Sequence, residues 1–116
     1  MTTFLCYDKC STCKKAENWL KEQGAAYTAR PIKEQNPTAA ELEGWLAQSG
    51  LPVKRFVNTS GLLYKSMGLK DKLPAMSDRQ VCELLATDGM LVKRPLLVGE
   101  DFVLTGFRAT EWEARL

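Results

Sequence analysis

Histidine is absent from this 116-residue chain. With it go the commonest general base and the commonest transition-metal ligand, which excludes hydrolases that activate serine, cysteine or metal-bound water through an imidazole. No apolar run approaches the roughly 20 residues that cross a bilayer. The opening Met1-Thr-Thr-Phe-Leu-Cys-Tyr-Asp8 lacks the basic segment and apolar stretch of a secretory signal. The chain is therefore expected to be cytoplasmic, with no membrane partner. A surplus of one charge is missing too: 16 Lys and Arg stand against 14 Asp and Glu, a net charge of +2. Direct nucleic-acid binding is not expected, and any anion site must be local. No repeat, linker or low-complexity tract divides the sequence, and its length fits one domain of roughly 100 to 150 residues. The expectation is a single monomeric domain over residues 1–116.

What the chain does have is cysteine: Cys6, Cys10, Cys13 and Cys82, three of them within eight residues. In a reducing compartment, structural disulfides do not persist, so catalytic or metal-binding thiols are the readings to weigh. A zinc cage of all four cysteines lacks a second paired motif, and no metal or bound cofactor is expected. The Cys6-x-x-x-Cys10-x-x-Cys13 spacing matches an iron–sulfur cluster signature of radical enzymes, but those need a far larger barrel. Cys6 within an apolar strand and Cys82 on the apolar face of a helix read as packing residues.

The pattern around the pair Cys10 and Cys13 is more informative. Thr3–Tyr7 is short and apolar and reads as a strand. From Ser11, the residues Ala16, Trp19 and Leu20 recur at helical spacing until Gly24, predicting an amphipathic helix that starts directly after Cys10. Ala26–Ile32 alternates as a second strand, so residues 3 to 32 form a strand–helix–strand unit with parallel strands. Thr38 and Glu41 predict a capping box for a helix over residues 39 to 48. Short helices follow at 52–57, at 60–67 and from Ser77 towards Gly89. Leu96–Val98 and Phe102–Leu104 flank Gly99-Glu-Asp101 as a hairpin, and residues 109 to 116 form a closing helix. Cys10 then sits at a strand-to-helix junction, where free N–H groups and the helix dipole favour a thiolate. Cys13, one turn on, can attack a mixed disulfide formed at Cys10. Lys9, Lys14 and Lys15 add positive charge nearby.

This order, βαβ then a helical insertion at about 38–88 then ββα, with Cys-x-x-Cys at the first helix, is the pattern of an α/β thioredoxin-like fold with a four-stranded mixed sheet. The chain resembles the arsenate reductase family. The resemblance is carried by Tyr7-Asp-Lys-Cys-Ser-Thr-Cys-Lys-Lys-Ala16, Asn58-Thr-Ser-Gly61, Leu84-Leu-Ala-Thr-Asp-Gly-Met-Leu-Val-Lys-Arg-Pro-Leu96 and Gly106-Phe-Arg108. Within that family it is most similar to the branch of the Spx and MgsR regulators and related proteins that carry Cys-x-x-Cys.

The resemblance implies that Cys10 is the attacking thiol, Arg94 and Arg108 hold an oxyanion, and Pro95 is the cis-proline facing the active cysteine. Guanidinium forks and a helix N-terminus both suit a tetrahedral anion. The family's third oxyanion arginine falls at Asn58, with Lys54 and Arg55 about a turn away, which implies weakened handling of arsenate. The expected activity is thiol–disulfide oxidoreduction on a small oxyanion or thiol. Cys13 would be the resolving thiol, and electrons would come from glutathione with glutaredoxin, or from thioredoxin. The alternative is a redox-sensing transcription regulator that binds RNA polymerase and uses the same dithiol as its switch.

Overall fold

The computed structural model describes residues 2–116. The chain runs β1 (Thr3–Cys6), α1 (Ser11–Glu22), β2 (Thr28–Pro31), α2 (Ala39–Ser49), a 3-10 turn at Val53–Phe56, α3 (Leu62–Ser66), α4 (Leu69–Lys72) with a 3-10 extension through Ala75, α5 (Asp78–Leu85), a 3-10 turn at Gly89–Leu91, β3 (Leu96–Val98), β4 (Val103–Thr105) and α6 (Ala109–Arg115). The four strands form one mixed sheet in the order β2-β1-β3-β4. β1 pairs parallel with β2, Thr3 opposite Thr28, and antiparallel with β3, Thr3 opposite Val98. β3 and β4 form the expected hairpin. The architecture is the thioredoxin-like α/β arrangement.

Strand alternation divides the interior in two. Phe4 and Leu97 point to one face and pack with Ala16 and Leu20 of α1 and Trp112 of α6. Leu5 and Leu96 point to the other and meet Leu42, Leu69, Val81, Cys82 and Leu85 from the helical block. With side chains alternating across a sheet, two apolar residues in succession on β1 and on β3 are what a sheet covered on both faces requires. The first face also carries an edge-to-face aromatic group, with Trp112 set 5.0 Å from Phe107 and 6.2 Å from Phe4.

The capping box expected at Thr38 is present. The Thr38 hydroxyl accepts the Glu41 N–H at 3.1 Å and the Glu41 carboxylate accepts the Thr38 N–H at 3.0 Å. Ser77 and Gln80 repeat the exchange at the start of α5.

Several expectations need correction. β2 is shorter than Ala26–Ile32: Ile32 already turns into the core, although its N–H still donates to the Cys6 carbonyl at 2.8 Å. The helix expected over 60–67 begins at Leu62, because Gly61 is extended. Gly68, at φ 63, then breaks the path and starts α4, which periodicity did not reveal. α5 closes at Leu85, short of Gly89. Gly89 serves a different purpose: a Cβ there would overlap the Ile32 carbonyl, so only glycine lets the chain pass this close to the end of β2.

Candidate functional site

β1 ends at Cys6, and a turn closed by the Cys10 N–H on the Tyr7 carbonyl at 3.0 Å delivers Cys10 to the N-cap of α1. Its backbone is extended (φ −92, ψ 118), so its side chain stands at the helix mouth. Cys13 lies in the first turn and is only 3% exposed. Its sulfur accepts the Tyr7 N–H at 3.4 Å. The Arg94–Pro95 peptide bond is cis, and Pro95, buried at the entrance to β3, accepts the Gly106 N–H on its carbonyl at 2.8 Å.

Electrostatics separate the two thiols. Burial pushes the Cys10 thiol up, but the N–H and thiol of Cys13 and then the Arg94 guanidinium outweigh it, leaving Cys10 below the usual cysteine range. The side chain lies outside strict capping geometry, so these groups stabilise the thiolate mainly by pointing their positive ends at it. Cys13 moves the opposite way, to about 12, chiefly through burial and despite the Tyr7 N–H, with the Cys10 charge adding to the rise. Arg94, not the exposed lysines 9, 14 and 15, is the positive charge that acts on Cys10.

Arg94 is the unusual side chain. Its guanidinium lies over the Tyr7 ring with Cζ 5.0 Å from the centroid. Nε and Nη1 are buried without a hydrogen-bond partner. Leaving such donors unpaired costs about 1 to 3 kcal/mol each, and more on a charged group. Arg94 lines a cavity of about 230 Å³ with Thr12, Arg55, Lys93, Thr105 and Arg108 together with Gly106 and Phe107. The Thr105 hydroxyl is a further buried polar group without a partner. Four cations thus line one small space at the N-terminal end of α1. Arg108 pairs loosely with Glu111 at 3.6 Å, both side chains being exposed. Cations, an unpaired threonine hydroxyl and a helix terminus together can hold a small oxyanion beside Cys10.

Of the residues expected at the site, Cys10 meets Cys13 and Arg94, Pro95 follows Arg94 through the cis bond, and Arg108 shares a cavity with Arg94. Asn58 does not join them: its amide donates to the Met90 carbonyl at 3.2 Å, while Arg55 from the preceding 3-10 turn lines the cavity. Sequence reasoning noted Arg55 only as a neighbour of Asn58. Spacing counted along the chain misses that the 3-10 turn and the Val57–Val92 bridge swing Arg55 towards Arg94. Thr105 gave a weak signal as a polar residue closing an apolar strand. Cys6 packs against the core cluster on the α1 side of the sheet, as its strand position implied. It is half-buried rather than enclosed, and shares with Cys13 and Glu17 a second cavity of about 530 Å³ on the α1 side of the sheet. Cys82 is packed in the other core, so the four cysteines do not converge, and among the described residues no group of three or more His, Cys, Asp or Glu is placed to hold a metal ion.

Comparisons with known proteins agree with this fold. The uncharacterized Bacillus subtilis protein YusI is 46% identical over 96% of this chain and 94% of its own length. The regulatory protein MgsR of the same species is 28% identical over 94% of this chain and 85% of its own. Among solved structures, a protein from Bacteroides fragilis related to the ArsC family superposes with a TM-score of 0.95 at 55% identity, covering 97% of this chain and 95% of that one. A possible arsenate reductase from Streptococcus mutans UA159 superposes with a TM-score of 0.92 at 44% identity, covering 100% and 98%. The family model described as ArsC family matches residues 5–115, and the chain accordingly belongs to the ArsC family.

Proposed function

We propose that this protein is a thiol–disulfide oxidoreductase acting on a small oxyanion, with arsenate as the reference substrate, Cys10 as nucleophile and Cys13 as resolving thiol. The observation that carries the reading is the Arg94 guanidinium, which acts on the one thiol held below its usual range and keeps two buried nitrogens, Nε and Nη1, without a partner. In this reading the Cys10 thiolate attacks the pentavalent centre, displacing an oxygen as water. Arg94, Arg108 and Arg55 hold the remaining oxygens and stabilise the charge as it redistributes. Attack of Cys13 on the Cys10 sulfur then forms the disulfide. The sulfur–arsenic electron pair leaves with the trivalent product, and the two thiols have supplied both electrons. An external thiol, glutathione with glutaredoxin or reduced thioredoxin, returns two electrons and restores the dithiol. A guanidinium suits this role, since its planar fork of donors matches the geometry of an oxyanion.

The second reading, a redox switch that signals to RNA polymerase, is supported by the likeness to MgsR. It uses the same dithiol but has no need of a cavity lined by four cations. Thiol-coupled NADPH consumption with arsenate separates the two. The enzyme reading expects turnover in the wild type and its loss in Cys10→Ser. Oxidation of the dithiol with no arsenate-dependent consumption would favour the switch.

A further inference from the structure

Cys6 has no part in the oxyanion reaction, yet it is only half-buried. On β1 it follows Phe4 by two positions and so faces α1, the helix that carries Cys13. Cys6 and Cys13 line the same cavity of about 530 Å³. Covalent geometry bounds their separation: the Tyr7 N–H that Cys13 Sγ accepts at 3.4 Å belongs to the residue following Cys6. Its nitrogen lies about 2.4 Å from Cys6 Cα, so that Cα is within about 6 Å of the Cys13 sulfur. A cysteine sulfur stands about 2.8 Å from its own Cα, so rotation of the Cys6 side chain can bring the two sulfurs to about 3 Å, from which the bond of about 2.05 Å needs only a small approach.

We propose that Cys6 is a third redox thiol, which receives the disulfide from Cys10 by attacking Cys13 from the side of this cavity. The proposal rests on the reading that Cys10 and Cys13 become joined. In the step, the Cys6 thiol gives its proton to water and its sulfur bonds to Cys13 Sγ. The Cys10–Cys13 bond breaks, and Cys10 departs with the electron pair as a thiolate. Two sulfurs are oxidised before and after, so no outside oxidant is needed. The direction follows from the surroundings. Cys10 leaves as a thiolate stabilised by Arg94, and a lower-pKa thiol is the better leaving group. Cys6, pushed up first by burial and then by Glu17 and Asp8, gains nothing comparable from staying reduced. The relocated bond faces a cavity separate from the cationic one, wide enough for a low-molecular-mass thiol. Substrate and reductant then have different entrances: the oxyanion meets Cys10 among the arginines, and two equivalents of reducing thiol meet Cys6–Cys13 on the other side of α1.

Trypsin gives a direct readout, because Lys9 and Lys14 place Cys6 in residues 1–9 and Cys10 with Cys13 in residues 10–14. The full-length protein is oxidised with one equivalent of diamide, incubated at pH 7 and 8.5, trapped with N-ethylmaleimide and mapped by tandem mass spectrometry. The expected course is an early internal disulfide in residues 10–14, replaced by a cross-link of Cys6 to Cys13 with Cys10 alkylated, faster at the higher pH. In Cys10→Ser the same cross-link should form directly. Cys6 alkylated at all times in the wild type, with no cross-link in Cys10→Ser, would overturn the proposal.

Cys6→Ser separates this from the oxyanion reading. That variant should complete a first turnover, one product per chain, and then keep Cys10 locked in the internal disulfide. Loss of the first turnover would place Cys6 in the oxyanion chemistry and overturn the relay. Cross-linking in the wild type without arsenate turnover in either protein would uphold the relay and defeat the oxyanion reading.

Discussion

Cys10 and Cys13 share a motif and a helix turn, yet their surroundings pull them apart. Cys10, at the mouth, meets N–H and guanidinium donors; Cys13, one turn inside, meets apolar neighbours and the Cys10 charge. The motif and its place before a helix were readable from the residues alone. The source of the charge was not, because Arg94 lies about eighty positions away and reaches Cys10 only when β3 pairs with β1. Site-resolved alkylation of the reduced protein against pH should show Cys10 reacting first, with a midpoint below the free-cysteine value of about 8.5. Cys13 should stay nearly inert until pH approaches about 12. Arg94→Ala should raise the Cys10 midpoint while leaving that of Cys13 high. An unchanged Cys10 midpoint in Arg94→Ala would assign the whole effect to Cys13 and the helix terminus.

At the level of single elements, capping signals were the most faithful guide. α2 and α5 begin where Thr38 and Ser77 said they would, since a capping box satisfies two otherwise unpaired N–H groups with side chains adjacent in sequence. α4 stayed hidden because its start depends on the left-handed Gly68 and not on an apolar repeat. The start of α2 carries an additional tie: Glu41 takes Arg30 of β2 in a two-pronged ion pair at 2.7 and 3.0 Å. Through that contact first, and through the Thr38 N–H against the cost of burial, its carboxyl is held at about 2. A depressed carboxyl contributes stability above the unfolded value of about 4.3 and loses it as pH falls towards 2. The side chain is 35% exposed, so solvent screening reduces the contribution to about 1 kcal/mol. Glu41→Gln should therefore be less stable by about that amount in urea unfolding at pH 7. The gap to wild type should shrink on acidification to pH 2. A gap as large at pH 2 would mean that packing, not charge, is responsible. Thr38→Ala should cost a similar amount, about 1 kcal/mol, at both pH values.

For the molecule as a whole, the parallel β1–β2 unit and the β3–β4 hairpin followed from the alternation of strand and helix patterns, whereas the strand order and the two-faced core emerge only when β3 pairs with β1. The cationic cavity did not follow, because it is assembled from four separated stretches: the mouth of α1, the 3-10 turn after α2, the entrance to β3 and the approach to α6. The family resemblance put the third anion contact at Asn58; Arg55 lines the cavity instead, and Asn58 is tied to Met90. A charge-assisted contact to an anion is worth about 1.5 to 3 kcal/mol, or about one to two powers of ten in affinity. Arsenate affinity can be read from the concentration that half-protects Cys10 against alkylation. Arg55→Ala should raise that concentration by about 10- to 100-fold and leave the Cys10 midpoint unshifted, since Arg55 is not among the groups that act on its thiol. Asn58→Arg should give no gain in affinity and should lower stability, because it removes the amide that satisfies the Met90 carbonyl. Tighter arsenate protection in Asn58→Arg, with Arg55→Ala indistinguishable from wild type, would return the third contact to position 58. Arg55 would then be only a solvated neighbour, its place in the cavity a matter of reach without binding.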